Sequence, residues 1–192
     1  SCLICAYLIS INKESFSNKQ YKYGILICCY NRPEFLKKTM DSLKQTNKND
    51  LNQSIIYIID DHSDNNETSK MIENYASEIK NMKGLDNLDV KINRNRYNMG
   101  IAKSLEKGFT FLYPKCEYLT NIDSDVLVKP NWLSKLQEVY DRSNRERNDG
   151  NGVLVSGFNC TPPNCDHKIK SSTDLYHVKK SIGGINTFFH RE

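Results

Sequence analysis

The stretch Tyr118 to Asp125 reads YLTNIDSD, and it decides the fold because it joins a buried strand to a pair of carboxylates. Residues Tyr118 to Ile122 have the apolar content and the length of a buried strand. Asp123 and Asp125 follow at once, so two carboxylates one residue apart stand at the end of that strand. Pro130 to Tyr140 then carries its apolar residues on one helical stripe. A strand, a polar turn and a helix form one α/β unit.

The same unit recurs three times earlier in the chain. Short apolar runs predict strands, and each run is followed by apolar residues at helical spacing. Because parallel strands need long crossover connections, four such units predict an α/β fold, a mostly parallel sheet with helices on both faces. The predicted strands are Tyr23–Cys29, Ser54–Asp60 and Asp89–Asn93, and the predicted helices run from Pro33 to about Gln45, through Met71–Ile79 and through Ile101–Phe109.

Composition limits the classes of function. The chain has 192 residues, 38% of them hydrophobic, which is enough for one domain with a buried core. Its formal net charge of +4 and its pI near 8.6 fall short of the basic character of nucleic-acid-binding domains. A small anionic substrate fits better, and we expect no nucleic-acid partner.

The apolar start and the cysteines bear on location. Residues 1–11 are about half as long as the ~20 residues of a membrane-spanning helix, so no membrane segment is expected within the chain. An upstream anchor stays open because the chain does not start with Met. Seven cysteines, with Cys28 and Cys29 directed to opposite faces of a strand, indicate a reduced, cytoplasmic protein. Cys160 and Cys165 could form a loop disulfide or half of a zinc site.

Regular structure is harder to predict beyond the fourth unit. Residues 143–152 (SNRERNDGNG) turn polar and charged, which predicts an exposed loop. Residues 153–158 predict a fifth strand. Residues 161–173 are rich in Pro, Asn, Ser and charge, and they predict a mobile loop.

Polar side chains cluster at four predicted strand ends. In open parallel sheets, ligands bind beyond the carboxyl ends of the strands, where loops meet the starts of helices. Four polar segments fall at such positions, so we expect them to share one rim of the sheet. These segments are Tyr30-Asn31-Arg32, Asp60 to Asp64, Arg94 to Gly100 and Asp123-Ser124-Asp125.

Asp123 and Asp125 are candidates for a metal site. Two carboxylates one residue apart repel each other unless a cation lies between them or water solvates them well. Mn²⁺ or Mg²⁺ suits a site of one or two carboxylates that substrate phosphate oxygens and water complete. The alternative is a solvated turn that caps the next helix.

The segments after the first two strands are candidates for contact with a nucleoside. The carboxylates of Asp60 and Asp61 could accept hydrogen bonds from a base N–H or from ribose hydroxyls. Alternatively, side chains of this segment cap the helix that starts near Glu67, an interpretation that we favour for Ser63 and Asp64. Tyr30 could stack on a base or lie over the edge of the sheet.

Two further segments carry features that suit a bound ligand. Arg94, Arg96 and the turn Asn98-Met99-Gly100 place cationic groups and a helix N-terminus at the same rim, which suits a diphosphate. Gly183-Gly184 precedes a predicted strand at Ile185–Phe189. These glycines either let the backbone approach a sugar closely or make a turn into the strand.

The order of these motifs resembles a known family. The segments concerned read ILICCYNRPEFL, YIIDDHSD, NMGIAKSLEKGF, YLTNIDSDVLVKPNWL and GGINTFFHRE. In this order they resemble a glycosyltransferase of the GT-A (nucleotide-diphospho-sugar transferase) fold, and the resemblance is closest to glycosyltransferase family 2. It covers about residues 23 to 192.

The resemblance implies a role for each rim segment. Tyr30 and Asp61 would contact the base, with Asp60 in the nucleoside environment. Asp123 and Asp125 would contact the ribose and the metal, with Asp125 the stronger metal ligand. The nucleotide-binding set is then Tyr30, Asn31, Arg32, Asp60, Asp61, Arg94, Asn98, Asp123 and Ser124.

The resemblance also implies an organisation along the chain. Residues 1–22 would be an N-terminal extension or edge strand, and residues 23–142 the nucleotide-sugar-binding part. Residues 143–192 would begin an acceptor-side part that is cut short at the C-terminus. Gly183 and Gly184 would line the sugar or acceptor pocket.

The implied activity is that of a metal-dependent glycosyltransferase of the hexosyltransferase type. It would move a sugar from a nucleotide diphosphate, with a UDP-sugar favoured, to a hydroxyl of a glycan, protein or lipid. Inversion at the sugar carbon is favoured. The alternatives are a retaining transferase of the same fold and a non-catalytic module that binds nucleotides or glycans.

The chain departs from the family pattern at two places. Cys28 and Cys29 stand where members often carry Thr or Ser. Members also place an acidic general base shortly after the glycine pair and its strand, for which Glu192 is a weak candidate. Asp166 and Asp174 lie in the predicted loop, so the base stays unassigned.

Two other enzyme classes fit the first strand less well. A nucleotidyltransferase should carry a Gly-rich phosphate loop directly after that strand. A dinucleotide-dependent oxidoreductase should carry GxGxxG there. The chain has Tyr30-Asn31-Arg32-Pro33 instead.

Overall fold

A computed structural model describes residues 21–147, 153–157, 168–179, 181–182, 184 and 186–191. Within this part there are eight strands and five helices, and strands alternate with helices as far as Arg147, as predicted. The strands are β1 (Tyr21–Cys29), β2 (Ser54–Asp60), β3 (Asp89–Arg94), β4 (Cys116–Asp123), β5 (Val155–Ser156), β6 (Ile169–Ser172), β7 (His177–Lys179) and β8 (Asn186–His190). The helices are α1 (Pro33–Lys44), α2 (Lys48–Leu51), α3 (Asn66–Lys80), α4 (Ile101–Leu112) and α5 (Trp132–Arg147).

Six of these strands form one sheet in the order β3-β2-β1-β4-β8-β5. The first four run parallel to one another, whereas β8 is antiparallel to β4 and to β5. The prediction of a mostly parallel sheet is therefore confirmed. The chain adds β2 and β3 on one side of β1 and then returns to add β4 on the other side. The strand order therefore reverses at β1. Such a reversal opens a crevice at the carboxyl ends of the central strands.

The core lies in two layers, one on each face of the sheet. Successive residues of β1 point to opposite faces, so Cys29 joins the layer that α1, α3 and α5 cover, and Cys28 joins the layer that α4 covers. Helices thus cover both faces, as predicted. The described cysteines, Cys28, Cys29 and Cys116, are buried free thiols.

Two helix starts show how the loops are built. Pro33 occupies the first turn of α1, where its missing N–H costs nothing. Asn65 caps α3 by accepting a hydrogen bond from the N–H of Thr68 at 3.3 Å. The prediction that Ser63 or Asp64 caps this helix is therefore wrong. Their side chains instead bond to residues that follow β1.

The region after β4 differs from the prediction in two respects. The helix α5 continues to Arg147, so the predicted loop at 143–152 begins too early. Ser143 is buried, and Arg142 forms an ion pair with Glu146 one turn ahead. Part of the predicted loop at 161–173 forms β6, which pairs antiparallel with β7.

The hairpin of β6 and β7 depends on a contact that is distant in sequence. Arg142 donates two hydrogen bonds to Asp174 in the connecting turn, at 3.1 and 2.6 Å. The predicted fifth strand is short, at Val155–Ser156. Cys160, Cys165, Asp166 and most of the predicted N-terminal extension lie outside the described residues.

Across the described ranges, no helix combines the length and the apolar character that a bilayer crossing requires.

The packing of α4 on β1 generates a testable prediction. A Cβ at Gly108 would lie 2.3 Å from Cδ1 of the fully buried Leu26. Gly108→Ala should therefore lower the free energy of unfolding by about 1–3 kcal/mol through overpacking, in spite of the better helix propensity of Ala. Urea denaturation measures the change. A second variant, Leu26→Ala with Gly108→Ala, should lose less than the sum of the single variants, and simple additivity would contradict this packing.

Candidate functional site

The four polar segments do share one rim of the sheet. They follow β1, β2, β3 and β4, whose carboxyl ends are adjacent because these strands are parallel. Hydrogen bonds then join each segment to a neighbour. Asn31 bonds to Ser63, Gly100 to Asp61, and Arg32 to Asp125. The rim is therefore one connected structure.

The turn between β1 and α1 has an unusual backbone. In the described part of the chain, the non-glycine residues with positive φ are Asn31 at 55°, Arg32 at 52° and His62 at 66°, and all three lie at the rim. This conformation is uncommon outside glycine and persists where the surroundings enforce it. The N–H of Asn31 donates to Oγ of Ser63 at 2.9 Å, which ties the first turn to the second.

Asp64 completes the tie between the first two turns. Its carboxylate accepts hydrogen bonds from the amide of Asn31 at 2.7 Å and from the hydroxyl of Tyr30 at 3.0 Å. These bonds, that from Asn31 first, lower the pKa of Asp64. The Tyr30 side chain keeps 41% of its surface exposed, so its ring stays open to a ligand.

Asp60 and Arg94 brace the turn between β2 and α3. Asp60 is buried and accepts hydrogen bonds from the N–H of Ser63 at 2.9 Å and the hydroxyl of Ser69 at 3.0 Å. Arg94 lies 3.7 Å from Asp60 and donates to the carbonyl of Ser63 at 2.8 Å. Both side chains are thus bonded within the protein. The contact of Asp60 with a nucleoside and that of Arg94 with a diphosphate stay predictions.

Asp61 binds the backbone just before α4. Its carboxylate accepts hydrogen bonds from the backbone N–H groups of Met99 and Gly100, both at 2.9 Å, and from the side chain of Asn95 at 2.7 Å. Asn98 accepts a further bond from Gly100 at 3.0 Å. Burial alone would raise the pKa of Asp61, but these hydrogen bonds together lower it. The carboxylate therefore stays ionised and in a fixed orientation.

Asp123 and Asp125 stand on the other side of β1. Burial first, and then the charge of Asp125, raises the pKa of Asp123 to about 6, which the guanidinium of Arg32 opposes. Asp125 accepts a hydrogen bond from Arg32 at 3.3 Å. Ser124, between the two acids, is nearly buried. This pair forms the part of the rim with the strongest repulsion between like charges.

The acids at the end of β4 fit a hard divalent cation. Within the ranges that the structure describes, no group of three or more His, Cys, Asp or Glu residues is placed to hold a metal. Asp123 and Asp125 would therefore supply two carboxylates at most. That number suits Mg²⁺ or Mn²⁺, which take one or two carboxylates and complete their coordination with phosphate oxygens and water.

The two thiols at the end of β1 are neutral. Burial first, and then the charges of Asp61 and Asp123, raises the pKa of Cys28 to about 12. Cys29 is buried on the other face and donates to the carbonyl of Ile59 at 3.5 Å. Cys28 thus adds a small uncharged surface between two acids of the rim.

The glycine pair and the candidate base are only partly described. The carbonyl of Gly184 accepts a hydrogen bond from the buried side chain of Asn121 at 2.8 Å. Gly183 and Glu192 lie outside the described residues. Asp174 is held by Arg142 near the end of α5, away from the rim.

Sequence reasoning missed two buried polar groups next to the site. Asn121 and Asn186 join β4 to β8, since Asn186 donates to the carbonyl of Asn121 at 2.8 Å. Asn95 lies in the segment after β3 and is 3% exposed. Asn121 stands in the apolar run of β4, so the sequence could have indicated that this asparagine is buried. Asn95 lies in a polar loop, where nothing in the sequence distinguishes a buried asparagine from an exposed one.

Residues 24–177 match the model of glycosyl transferase family 2. The chain belongs to this family. The predicted family is confirmed, and with it the predicted GT-A fold. Among curated proteins, the uncharacterized protein MJ0544 of Methanocaldococcus jannaschii is 34% identical to this chain over 91 residues. The match covers 46% of this chain and 36% of MJ0544.

Solved structures share the fold. S. aureus TarS superposes with a TM-score of 0.59 at 14% identity, over 88% of this chain and 28% of TarS. TarS 1–349 in complex with UDP-GlcNAc gives a TM-score of 0.53 at 17% identity, over 73% of this chain and 37% of the other. The family 2 chain thus spans less than half of each of these proteins.

The hydrogen bonds of Asp61 generate a prediction on stability. Asp61→Asn should lower the free energy of unfolding by about 1.5–3 kcal/mol at pH 7, because the bonds to a charged acceptor are lost. The pKa of Asp61 in the folded chain lies below its ordinary value of 3.8. The stabilisation is therefore present above pH 3.8 and is lost as the pH falls through the folded value.

Urea denaturation at a series of pH values measures this effect. The difference between wild type and Asp61→Asn should be largest near neutrality and should shrink in acid. Asp86→Asn, at an exposed position far from these bonds, serves as the control. A difference that stays constant at all pH values would show that ionisation of Asp61 does not stabilise the fold.

Proposed function

We propose that the chain binds a nucleotide-sugar donor at the rim and transfers the sugar to a hydroxyl acceptor. One observation carries the proposal: the loops after all four parallel strands are tied together around Asp61, Asp123 and Asp125. Membership of glycosyl transferase family 2 supports the same activity. The site lies where parallel sheets of this kind bind ligands.

The nucleoside half of the donor lies at the ends of β1 and β2. Tyr30 presents an exposed ring for the base, and Asp61 presents a fixed carboxylate that can accept a hydrogen bond from a base N–H. A UDP-sugar is the favoured donor. The fold shared with TarS 1–349, whose complex contains UDP-GlcNAc, supports this choice.

The diphosphate half lies at the end of β4. Asp125 and Asp123 would hold Mn²⁺ or Mg²⁺, and Arg32 places a permanent positive charge beside them. When bound, the cation would neutralise charge that develops on the diphosphate leaving group. Arg32 contributes in the same direction because guanidinium groups bind phosphate oxygens well.

Transfer with inversion requires a carboxylate that takes the proton of the acceptor hydroxyl. Asp174 is bound to Arg142 away from the rim, so we do not assign it this role. Glu192 remains a weak candidate. The alternatives are a retaining reaction and a non-catalytic module with the same donor site. Because no general base is assigned, the non-catalytic module is the alternative to test first.

Metal dependence provides the first test of the donor site. UDP should bind more tightly in the presence of Mn²⁺, and Asp125→Ala should weaken this binding about tenfold or more by removing one of two carboxylate ligands. Titration calorimetry with and without Mn²⁺ measures both effects. Asp86→Asn should bind as the wild type does. A wild-type chain that binds no nucleotide diphosphate in Mn²⁺ would refute the proposal.

Turnover distinguishes an enzyme from a binding module. Hydrolysis of a UDP-sugar to UDP and free sugar should be measured on the wild-type chain and on Asp125→Ala. We expect hydrolysis by the wild type and its loss in Asp125→Ala, which lacks one of the two carboxylates that would hold the cation. Donor binding without hydrolysis by the wild type would favour the non-catalytic module.

A further inference from the structure

Asn95 sits at the centre of a buried polar network behind the nucleoside half of the rim. Its side chain is 3% exposed, and all of its hydrogen-bonding capacity is used. The amide nitrogen donates to Asp61 at 2.7 Å and to Ser104 at 3.2 Å. The amide oxygen accepts from Asn93 at 3.0 Å and from Lys107 at 2.8 Å.

These partners define the orientation of the amide. If the amide were reversed, its oxygen would face the carboxylate of Asp61 and its nitrogen would face the ammonium of Lys107. Both contacts would be repulsive. The backbone of Asn95 adds two bonds, donating to the carbonyl of Asp60 at 2.9 Å and lying 3.2 Å from Nδ1 of His62. Asn95 therefore joins the ends of β2 and β3 to α4.

We propose that Asn95 is a positioning residue for nucleotide recognition, which acts by orienting the Asp61 carboxylate and the segment from Asn95 to Gly100. This inference rests on the proposed function, in which Asp61 contacts the base. Asn95 itself is buried beneath Asp61 and does not touch the nucleotide.

The physical advantage of this arrangement is preorganisation. Asp61 is held by Asn95 on one side and by the N–H groups of Met99 and Gly100 on the other. Its side chain therefore has little freedom left to lose when a base binds, so little of the binding free energy is spent on ordering it. The charge of Lys107 polarises the amide of Asn95 and strengthens its bond to Asp61.

A purely structural role for Asn95 is the competing explanation, and a matched control separates the two. Ser54 is also fully buried, and its hydroxyl donates to the carbonyl of Asp50 at 2.6 Å. It lies at the amino end of β2, whereas Asp61 follows the carboxyl end. Ser54→Ala therefore removes a buried hydrogen bond without touching the rim.

The experiment measures UDP affinity and stability together. Titration calorimetry with UDP and Mn²⁺, and urea denaturation, are applied to wild type, Asn95→Ala, Ser54→Ala and Asp61→Asn, and to Asn95→Ala combined with Asp61→Asn. Asn95→Ala should raise the Kd for UDP about tenfold, and Ser54→Ala should leave it unchanged even where stability falls. With Asp61 already replaced, Asn95→Ala should add little, because its effect passes through that carboxylate.

Each outcome decides the inference. If Asn95→Ala binds UDP as Ser54→Ala does, or if its loss multiplies with that of Asp61→Asn, the positioning role is refuted while the proposed function stands. A wild-type chain that binds no nucleotide diphosphate in Mn²⁺ refutes the proposed function and this role with it. If Asn95→Ala does not fold, Lys107→Met takes its place, with a smaller loss of affinity expected and an unchanged Kd as the refuting result.

Discussion

The register of β1 against its two parallel neighbours is the constraint on which the site depends. β1 is buried along Tyr23–Cys29 and pairs with β2 on one side and with β4 on the other. Cys29 stands opposite Asp60 and Cys28 stands opposite Asp123, so both neighbours deliver their acids at the level where β1 ends. A slip of one residue would turn every core side chain to the wrong face. The apolar pattern that builds the core therefore also sets the position of the acids.

Side-chain hydrogen bonds then hold a rim backbone that is unfavourable by itself. Left-handed conformations of Asn31, Arg32 and His62 each cost on the order of 1–3 kcal/mol. Ser63 and Asp64 offset part of this cost because they bond to the turn after β1 and do not cap the helix that follows them. The polar residues of the second turn thus stabilise the shape of the first, and the strained residues in the described part of the chain lie where a ligand would bind.

The sequence predicts features that depend on local patterns. The apolar run Ser54–Asp60 forms the strand with the predicted bounds, and the polar segments fall at strand ends because strands and loops alternate along the chain. Contacts between residues that are distant in sequence are not predicted by such patterns. The cap at Asn65 was mispredicted because the competing partner of Ser63 lies 32 positions earlier, at Asn31. Asn95 bonds to Ser104 and Lys107 of α4, contacts that no local pattern in the sequence marks.

The two sides of the rim differ in how their negative charge is balanced. On the β2 side, Asp61 receives backbone and amide N–H donors, so its charge is satisfied within the fold and its pKa is lowered. On the β4 side, burial first and then the charge of Asp125 raise the pKa of Asp123 to about 6, and Arg32 is the neighbouring cation that opposes this shift. In the proposed function, the first side would select a neutral base by fixed geometry. The second gains most from a bound cation, which would relieve the repulsion that the fold itself creates. A ligand with a base at one end and a metal-bound diphosphate at the other matches both sides at once.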